Sequence, residues 1–483
     1  MLFNSIDFAI FLPIAFFLYW FVTNKNLKLQ NLLIVVASYT FYGWWDWRFL
    51  SLILFSTIID YSIGRRLLNE KNISKRKVLL WISILVNLGF LGFFKYYNFF
   101  LENFVTAFSF LGTPINAQGL NIILPVGISF YTFQTLSYTI DAYKRKLQPT
   151  KDFIAFSAFV SFFPQLVAGP IERATNLLPQ FYKKRTFEYD KAVDGLRQIL
   201  WGLFKKIVIA DNSAQIANEI FNNSADYSGS TLVLGALFFT FQIYGDFSGY
   251  SDIAIGTSRL FGFDLKQNFA FPYFSRDIAE FWRRWHISLS TWFRDYLYIP
   301  LGGSRGGTWM KVRNTFIIFI VSGFWHGANW TFIVWGALNA VYFLPLLLLG
   351  KNRTNTNTVA QEKYLPSIKE FFQIGITFSL TVLAWVFFRA ESIEHALNYL
   401  STIFSKSLFS FPHFPLMKLA FTTVIMIAIF IVIEWIGRNK QYAIENTVNI
   451  KHSYLRYGLY LAIVIAIMVM GNFNENQFIY FQF

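Results

Sequence analysis

Two of the chain's five histidines sit where ordinary packing does not call for an imidazole. His326 lies in SGFWHGANWTFIVWGALNA (Ser322–Ala340), between Trp325 and Gly327 in an apolar stretch. An ionisable side chain at membrane depth is costly and marks a functional site by default. Burial disfavours the imidazolium, so a buried His326 is expected to be neutral near pH 7 and able to accept a proton. Gly323, Gly327 and Ala328 remove bulk around it and leave room for a substrate or a closely packed helix. The alternative role is a hydrogen bond to a neighbouring helix. His286 lies in FWRRWHISLSTWFRDYLYIPLGGSR (Phe281–Arg305), where Phe281, Trp285, Leu289, Trp292 and Tyr296 recur at three- and four-residue spacing. That spacing predicts one amphipathic helix in the membrane interface, with its aromatic rings at headgroup depth and its arginines snorkelling. It accounts for the Trp and Arg content but not for His286, whose ordinary pKa of about 6.5 suits neither an anchor nor a core residue.

The remaining candidates are weaker. QIYGDFSGYSDIAIGTSRLFGF (Gln242–Phe263) carries Asp246 and Asp252 beside Gly245, Ser248 and Gly249. The two acids either bind a cation, serve as acid and base, or give polar support by capping broken helix ends. FFPQLVAGPIERATNLLPQF (Phe162–Phe181) reads as a Gly-Pro bend with a local pair of Glu172 and Arg173. His395, His413 and His452 fall in loops and read as surface residues. No P-loop, nucleophile elbow or paired-histidine zinc motif occurs, which argues against nucleotide hydrolysis, an α/β-hydrolase and a zincin. Cysteine is absent, so thiol nucleophiles and thiolate-bound zinc are excluded, and no local metal motif is present.

The elements that must position these groups are membrane helices. Of 483 residues 55% are hydrophobic, 20% aromatic and only 14% charged, with a mean hydropathy of +0.41. Soluble domains carry roughly 25% charged residues. Apolar stretches of spanning length lie near 6–22, 29–45, 49–63, 78–94, 96–111, 122–140, 153–168, 194–210, 231–247, 314–325, 329–349, 371–388, 419–436 and 455–471. Those at 122–140 and 314–325 are broken or short and are expected to be re-entrant, which requires protein or a water-filled cavity around the exposed backbone. The first stretch has no basic leader and no cleavage-site pattern, so it reads as a retained helix rather than a signal peptide. The formal charge of +15 resides in loops between spans, including Arg65–Lys77, Tyr143–Lys151, 259–313 and Lys351–Lys369. Positive-inside bias explains this better than a nucleic-acid surface and predicts a multi-pass inner-membrane protein with both termini extracytoplasmic. One integral membrane domain over 1–483 is the simplest division, with an interfacial cytoplasmic segment at about 259–313 and the candidate catalytic span at about 314–349.

The stretches FWRRWHISLSTWFRDYLYIPLGG, FWHGANWTFIVWG, QIYGDFSGYSDIAIG, FFPQLVAGPIER and the C-terminal FIYFQF, taken in this order, resemble the membrane-bound O-acyltransferase (MBOAT) family, and within it a bacterial alginate O-acetylation branch. The resemblance implies an all-α polytopic fold: a ring of transmembrane helices around a thinned centre with a tunnel, plus re-entrant and interfacial helices. It implies an acyltransferase that moves an acetyl group from a cytoplasmic donor, acetyl-CoA, to a hydroxyl beyond the membrane, with no bound cofactor. On it His326 and His286 are the catalytic residues. The general base on the acceptor hydroxyl, or the acyl carrier itself, is then His326, while His286 orients the thioester or meets charge on its carbonyl oxygen. Arg283, Arg284, Arg305 and Lys311 are available for the phosphates of the donor. The expected partners are the bilayer and an extracytoplasmic polysaccharide such as alginate, or an SGNH-type acetyltransferase acting as relay. D-alanyl transfer to teichoic acid and lipid-linked glycan transport are the alternatives.

Overall fold

The structure is a computed structural model and describes residues 1–113 and 115–471. Twenty α-helices and no strand occur among the described residues. Backbone contacts group the chain into two compact units, Met1–Tyr189 with Ser258–Leu265 and Asp190–Thr257 with the chain from Lys266 onward.

The first unit holds α1 (Ile6–Phe17), α2 (Leu27–Asp46), α3 (Leu50–Asn69), α4 (Ile73–Leu91), α5 (Tyr97–Phe110), α6 (Ile128–Tyr143), α7 (Phe153–Ser161) and the single turns α8 (Phe163–Leu166) and α9 (Ala174–Leu177). Ser5, Asn26 and Asn72 cap α1, α2 and α4 by accepting backbone N–H bonds of the first turn. The stretches read separately as 78–94 and 96–111 are one rod of 38 residues, Ile73–Phe110. Lys95 and Tyr96 interrupt the hydropathy but not the backbone, which takes up an extra residue in a π-helical turn at Gly92–Tyr96. The stretch expected at 122–140 becomes helical only from Ile128. Pro125 lacks an amide donor, and Gly127, at φ +72°, turns left-handed where a Cβ would lie 2.8 Å from Leu166 O. Inside the unit the buried Asp60 carboxylate of α3 accepts from Ser83 and Asn87 of α4 and Thr139 of α6.

The second unit carries α10 (Tyr189–Leu203), a π-helical turn at Phe204–Ala210, α11 (Asp211–Asn222), α12 (Gly229–Leu260), α13 (Ile278–Arg284), α14 (Ile287–Phe293), α15 (Thr308–His326), α16 (Trp330–Leu348), α17 (Ile368–Arg389), α18 (Ile393–Ile403), α19 (Met417–Gly437) and α20 (Ser453–Met470). Its axis is α12: 83% of its apolar window is buried, against 28% for α19 and 11% for α20, so the latter two turn most of their surface to lipid. Close approach to α12 needs residues without side chains. A Cβ on Gly202 would lie 2.6 Å from Gly249 O, and one on Gly249 would lie 2.8 Å from Gly202 O. The same device joins α15 to α16, where a Cβ on Gly323 would strike Phe332 O and one on Gly336 would strike Phe319 O.

The single amphipathic helix expected over 281–296 is broken in two. His286, at φ +43°, separates α13 from α14. Asn268 takes over the hydrogen bonds that a continuous helix would supply there, its backbone O accepting from Ile287 N–H and its side-chain Oδ1 from Ser288 N–H. The FIYFQF stretch and the expected extracytoplasmic C-terminus fall outside the described residues. Gly323→Ala is expected to cost about 1–3 kcal/mol through overpacking against the backbone of α16. Gly375→Ala, inside α17 and meeting nothing within 4 Å, should cost nothing and gain up to about 1 kcal/mol from helix propensity, and thermal denaturation of both variants in one detergent checks the difference.

Candidate active site

His326 is the last residue of α15, at the turn of the α15–α16 hairpin rather than in the middle of a span. It is 3% exposed, and its ring meets three others nearly edge-on: Trp325 at 4.9 Å, Trp335 at 5.2 Å and Phe388 at 5.2 Å between centroids. His286 is 1% exposed, with Phe247 of α12 edge-on at 4.6 Å and Trp325 at 6.0 Å. Trp325 therefore touches both histidines, which sequence spacing leaves forty residues apart. Trp385, stacked on Trp335 at 5.6 Å, extends the aromatic wall.

Hydrogen bonds distinguish His286 further. Its Nδ1 is 3.1 Å from Asn268 Oδ1, and the same oxygen accepts from Ser288 N–H at 3.2 Å and from the Ser288 hydroxyl at 2.8 Å. Asn268 Nδ2 donates to Ser251 Oγ at 3.2 Å. The other ring nitrogen, Nε2, is buried and makes no hydrogen bond among the described residues. Burial pushes the imidazole pKa down to about 3, so the ring is neutral at physiological pH.

The four basic residues expected at the donor mouth divide into two pairs. Arg283 is exposed but spends its guanidinium on Asn352 O and Asn355 O, each at 2.7 Å. Arg284 binds Glu280 at 3.0 Å, Ala270 O and Asn357 O. Together with Arg276, which donates to Asn357 O, they fasten the 352–357 loop. Arg305 is exposed and Lys311 half-buried, each on or next to the entry to α15.

Asp246 and Asp252 do not cap broken helix ends, because α12 runs unbroken through both. Each is instead ion-paired to a buried lysine of the π-helical turn, Lys206 Nζ to Asp246 at 2.8 Å and Lys205 Nζ to Asp252 at 2.6 Å. Lys206 also pairs with Asp211 at 2.8 Å, Gln198 donates to Asp252, and Tyr244 donates to Glu434 of α19. Sequence reading missed Lys205, Lys206, Glu434 and Asn268. The double lysine inside the apolar run at 194–210 was a visible signal of intramembrane charge; Asn268 had none, since it matters only through the loop that brings it to His286. Removing one partner of a buried pair leaves an uncompensated charge and costs roughly 3–5 kcal/mol. Lys205→Met should therefore lower the thermal midpoint strongly. Lys205→Met combined with Asp252→Asn should lose less than the two single variants together, a coupling that a double-mutant cycle measures.

Comparison with known proteins gives the arrangement its context. Residues 126–388 match the membrane-bound O-acyltransferase (MBOAT) family. The chain is 41% identical over 411 residues to the probable alginate O-acetylase of Pseudomonas aeruginosa, covering 84% of this chain and 75% of that protein. It is 37% identical over 429 residues to the peptidoglycan O-acetyltransferase of Helicobacter pylori, covering 83% and 79%. It is 28% identical over 290 residues to the teichoic acid D-alanyltransferase of Bacillus subtilis, covering 57% and 71%. The helical fold, the six helices among the described residues that are long and apolar enough to cross a bilayer and these matches agree: the chain is a multi-pass membrane acyltransferase and belongs to the MBOAT family.

Proposed function

We propose that this acyltransferase carries an acetyl group from acetyl-CoA on the cytoplasmic side to a hydroxyl of an extracytoplasmic polysaccharide, alginate or a polymer like it. The two buried histidines in contact with one tryptophan carry the reading. Among the relatives compared, those at 37% identity or above are an alginate O-acetylase and a peptidoglycan O-acetyltransferase, which supports acetyl as the group and a glycan as the acceptor. The teichoic acid D-alanyltransferase, at 28% identity, is the runner-up analogy. An SGNH-type acetyltransferase outside the membrane is the expected partner if the acetyl group travels through a relay.

The site's chemistry follows from its dryness. The imidazole at the end of α15, walled by Trp325, Trp335 and Phe388, is placed to act as general base on an acceptor hydroxyl. It would take the proton of a hydroxyl held against it as that oxygen attacks the acyl carbon of the cytoplasmic thioester, whose thiolate leaves. Arg305 and Lys311, at the start of α15, are the basic residues better placed to hold the donor's phosphates, since Arg283 and Arg284 are committed to backbone carbonyls. The basic loops 65–77, 143–151 and 351–369 support an inner-membrane placement with the N-terminus outside. The single rod Ile73–Phe110 suits that order, because it leads from the basic loop at 65–77 to the segment after Phe110, which carries no Lys or Arg up to Tyr143.

His326→Ala is expected to abolish transfer from radiolabelled acetyl-CoA in membrane vesicles while the protein stays inserted and melts as before; wild-type transfer by that variant would sink the assignment. Arg305→Ala with Lys311→Ala should raise the KM for acetyl-CoA several-fold with kcat little changed, the signature of lost uniform binding.

A further inference from the structure

We infer that Asn268 is a positioning residue that fixes His286 in its Nδ1–H tautomer, so that His286 meets the substrate as a hydrogen-bond acceptor through Nε2 and not as a donor to the acyl carbonyl. The inference rests on the proposed reading of His286 as a substrate-facing residue, and it changes the part that residue plays there.

One atom of this network has a role that is not open to choice. The backbone N–H of Ser288 can only donate, and it points at the Asn268 side chain from 3.2 Å. The Asn268 atom facing it is therefore the oxygen, and the amide nitrogen is the atom turned to Ser251 Oγ. His286 Nδ1 lies 3.1 Å from that same oxygen. An oxygen accepts, so Nδ1 carries the proton. A neutral imidazole holds one N–H, which leaves Nε2 with a bare lone pair. Nε2 is buried and takes no hydrogen bond from any described residue, although burying an unsatisfied acceptor is unfavourable. An N–H or O–H group of the substrate would satisfy it. The second ring nitrogen setting the face of the first is the rule for functional histidines. It also means that negative charge developing on the acyl carbonyl oxygen has to be met by a donor other than His286.

The surroundings keep this state. The ring is faced by Phe247 from α12, by Asn268 and Phe269 from the segment before α13, and by Trp325 from α15. The ionisable groups on those elements are Tyr244, Asp246, Tyr250, Asp252 and Arg259 on α12, Asp264, Lys266, Tyr273, Arg276 and Asp277 before α13, and Lys311, Arg313 and His326 on α15; Asp246 and Asp252 are held by Lys206 and Lys205. Among the described residues, the ring contacts and the hydrogen bond of the imidazole are all to uncharged side chains.

The test uses full-length protein in detergent with 15N-labelled histidine. The resonances lost in His286→Ala belong to His286. They are expected to show protonated Nδ1 and bare Nε2, unchanged from pH 5 to 8. Asn268→Leu should lose that pattern and lower kcat roughly tenfold to a hundredfold, the range for one buried hydrogen bond left unmade. Asn268→Asp keeps an acceptor on Nδ1 and should keep the tautomer. Its carboxylate favours the imidazolium, so protonation at Nε2 rises to higher pH and an acid limb appears in the pH profile of kcat. A His286 signal with protonated Nε2, or an Asn268→Leu variant with wild-type tautomer and kcat, overturns the inference. If Asn268→Leu does not fold, the pH profile of Asn268→Asp decides, and a profile identical to wild type overturns it. Wild-type kinetics in His286→Ala would instead remove His286 from the reaction while leaving the tautomer intact, which separates failure of the underlying reading from failure of this one.

Discussion

A polar group in a lipid-facing protein must find its partner inside the protein, and most of this structure follows from that constraint. Lys205 and Lys206 sit in an apolar run and are tolerable only because Asp252, Asp246 and Asp211 reach them. Asp246 and Asp252 reach them from α12, where Gly202 and Gly249 let two backbones come together, while Asp211 lies five residues along the chain from Lys206. Asp60 in the first unit is handled without a cation, by hydroxyl and amide donors from two other helices. Arg276, Arg283, Arg284 and Arg438 meet the same demand at the unit's polar edge by donating to loop carbonyls. The glycines and the ion pairs are two halves of one arrangement, since neither stands without the other.

The same constraint makes the two histidines informative. Edge-on aromatic rings give an imidazole good packing but almost no solvation, and at His286 that burial disfavours the imidazolium. A neutral imidazole that accepts a proton becomes an imidazolium, which apolar surroundings disfavour and so drive to give the proton back. Acyl transfer from a thioester to a hydroxyl asks for a base that takes the hydroxyl proton and returns one to the leaving thiolate, and an aromatic wall also keeps water from taking the acyl group. The charge network on α12 lies next to this wall through Phe247, between Asp246 and Ser248, so it fixes the helix against which His286 packs. Its contribution to chemistry is placement.

Much of this was legible in the sequence, and the reasons for the rest are physical. Apolar runs of spanning length survive any tertiary context, so the helices at 29–45, 329–349 and 419–436 came out close to α2, α16 and α19. His326 and His286 were visible because an imidazole is out of place in such company. The rod Ile73–Phe110 was not, since hydropathy drops at Lys95 while the backbone absorbs the interruption as a π-helical turn. The break at His286 was hidden for a related reason: the residues from Phe281 to Tyr296 do have helical periodicity, and only Asn268, thirteen residues before Phe281, outbids the helix for its hydrogen bonds. Arg283 and Arg284 read as phosphate ligands from type alone. The structure commits them to carbonyls of a loop whose position no local pattern encodes.

The backbone at His286 supplies the last step. A β-carbon at φ +43° and ψ +55° is disfavoured, by roughly 1 kcal/mol or more for a residue other than glycine, asparagine or aspartate. Glycine would relieve the strain and would still let Asn268 hold Ile287 and Ser288. It would also leave Phe247 and Trp325 facing a cavity and would remove a buried ring nitrogen that takes no hydrogen bond among the described residues. The strained conformation aims the imidazole back between α12 and α15, where a regular helix would carry it away. Strain, tautomer and burial each have independent causes in the local geometry. All three leave the same atom, Nε2, unsatisfied beside the tryptophan that also touches His326, and no packing requirement alone accounts for that coincidence.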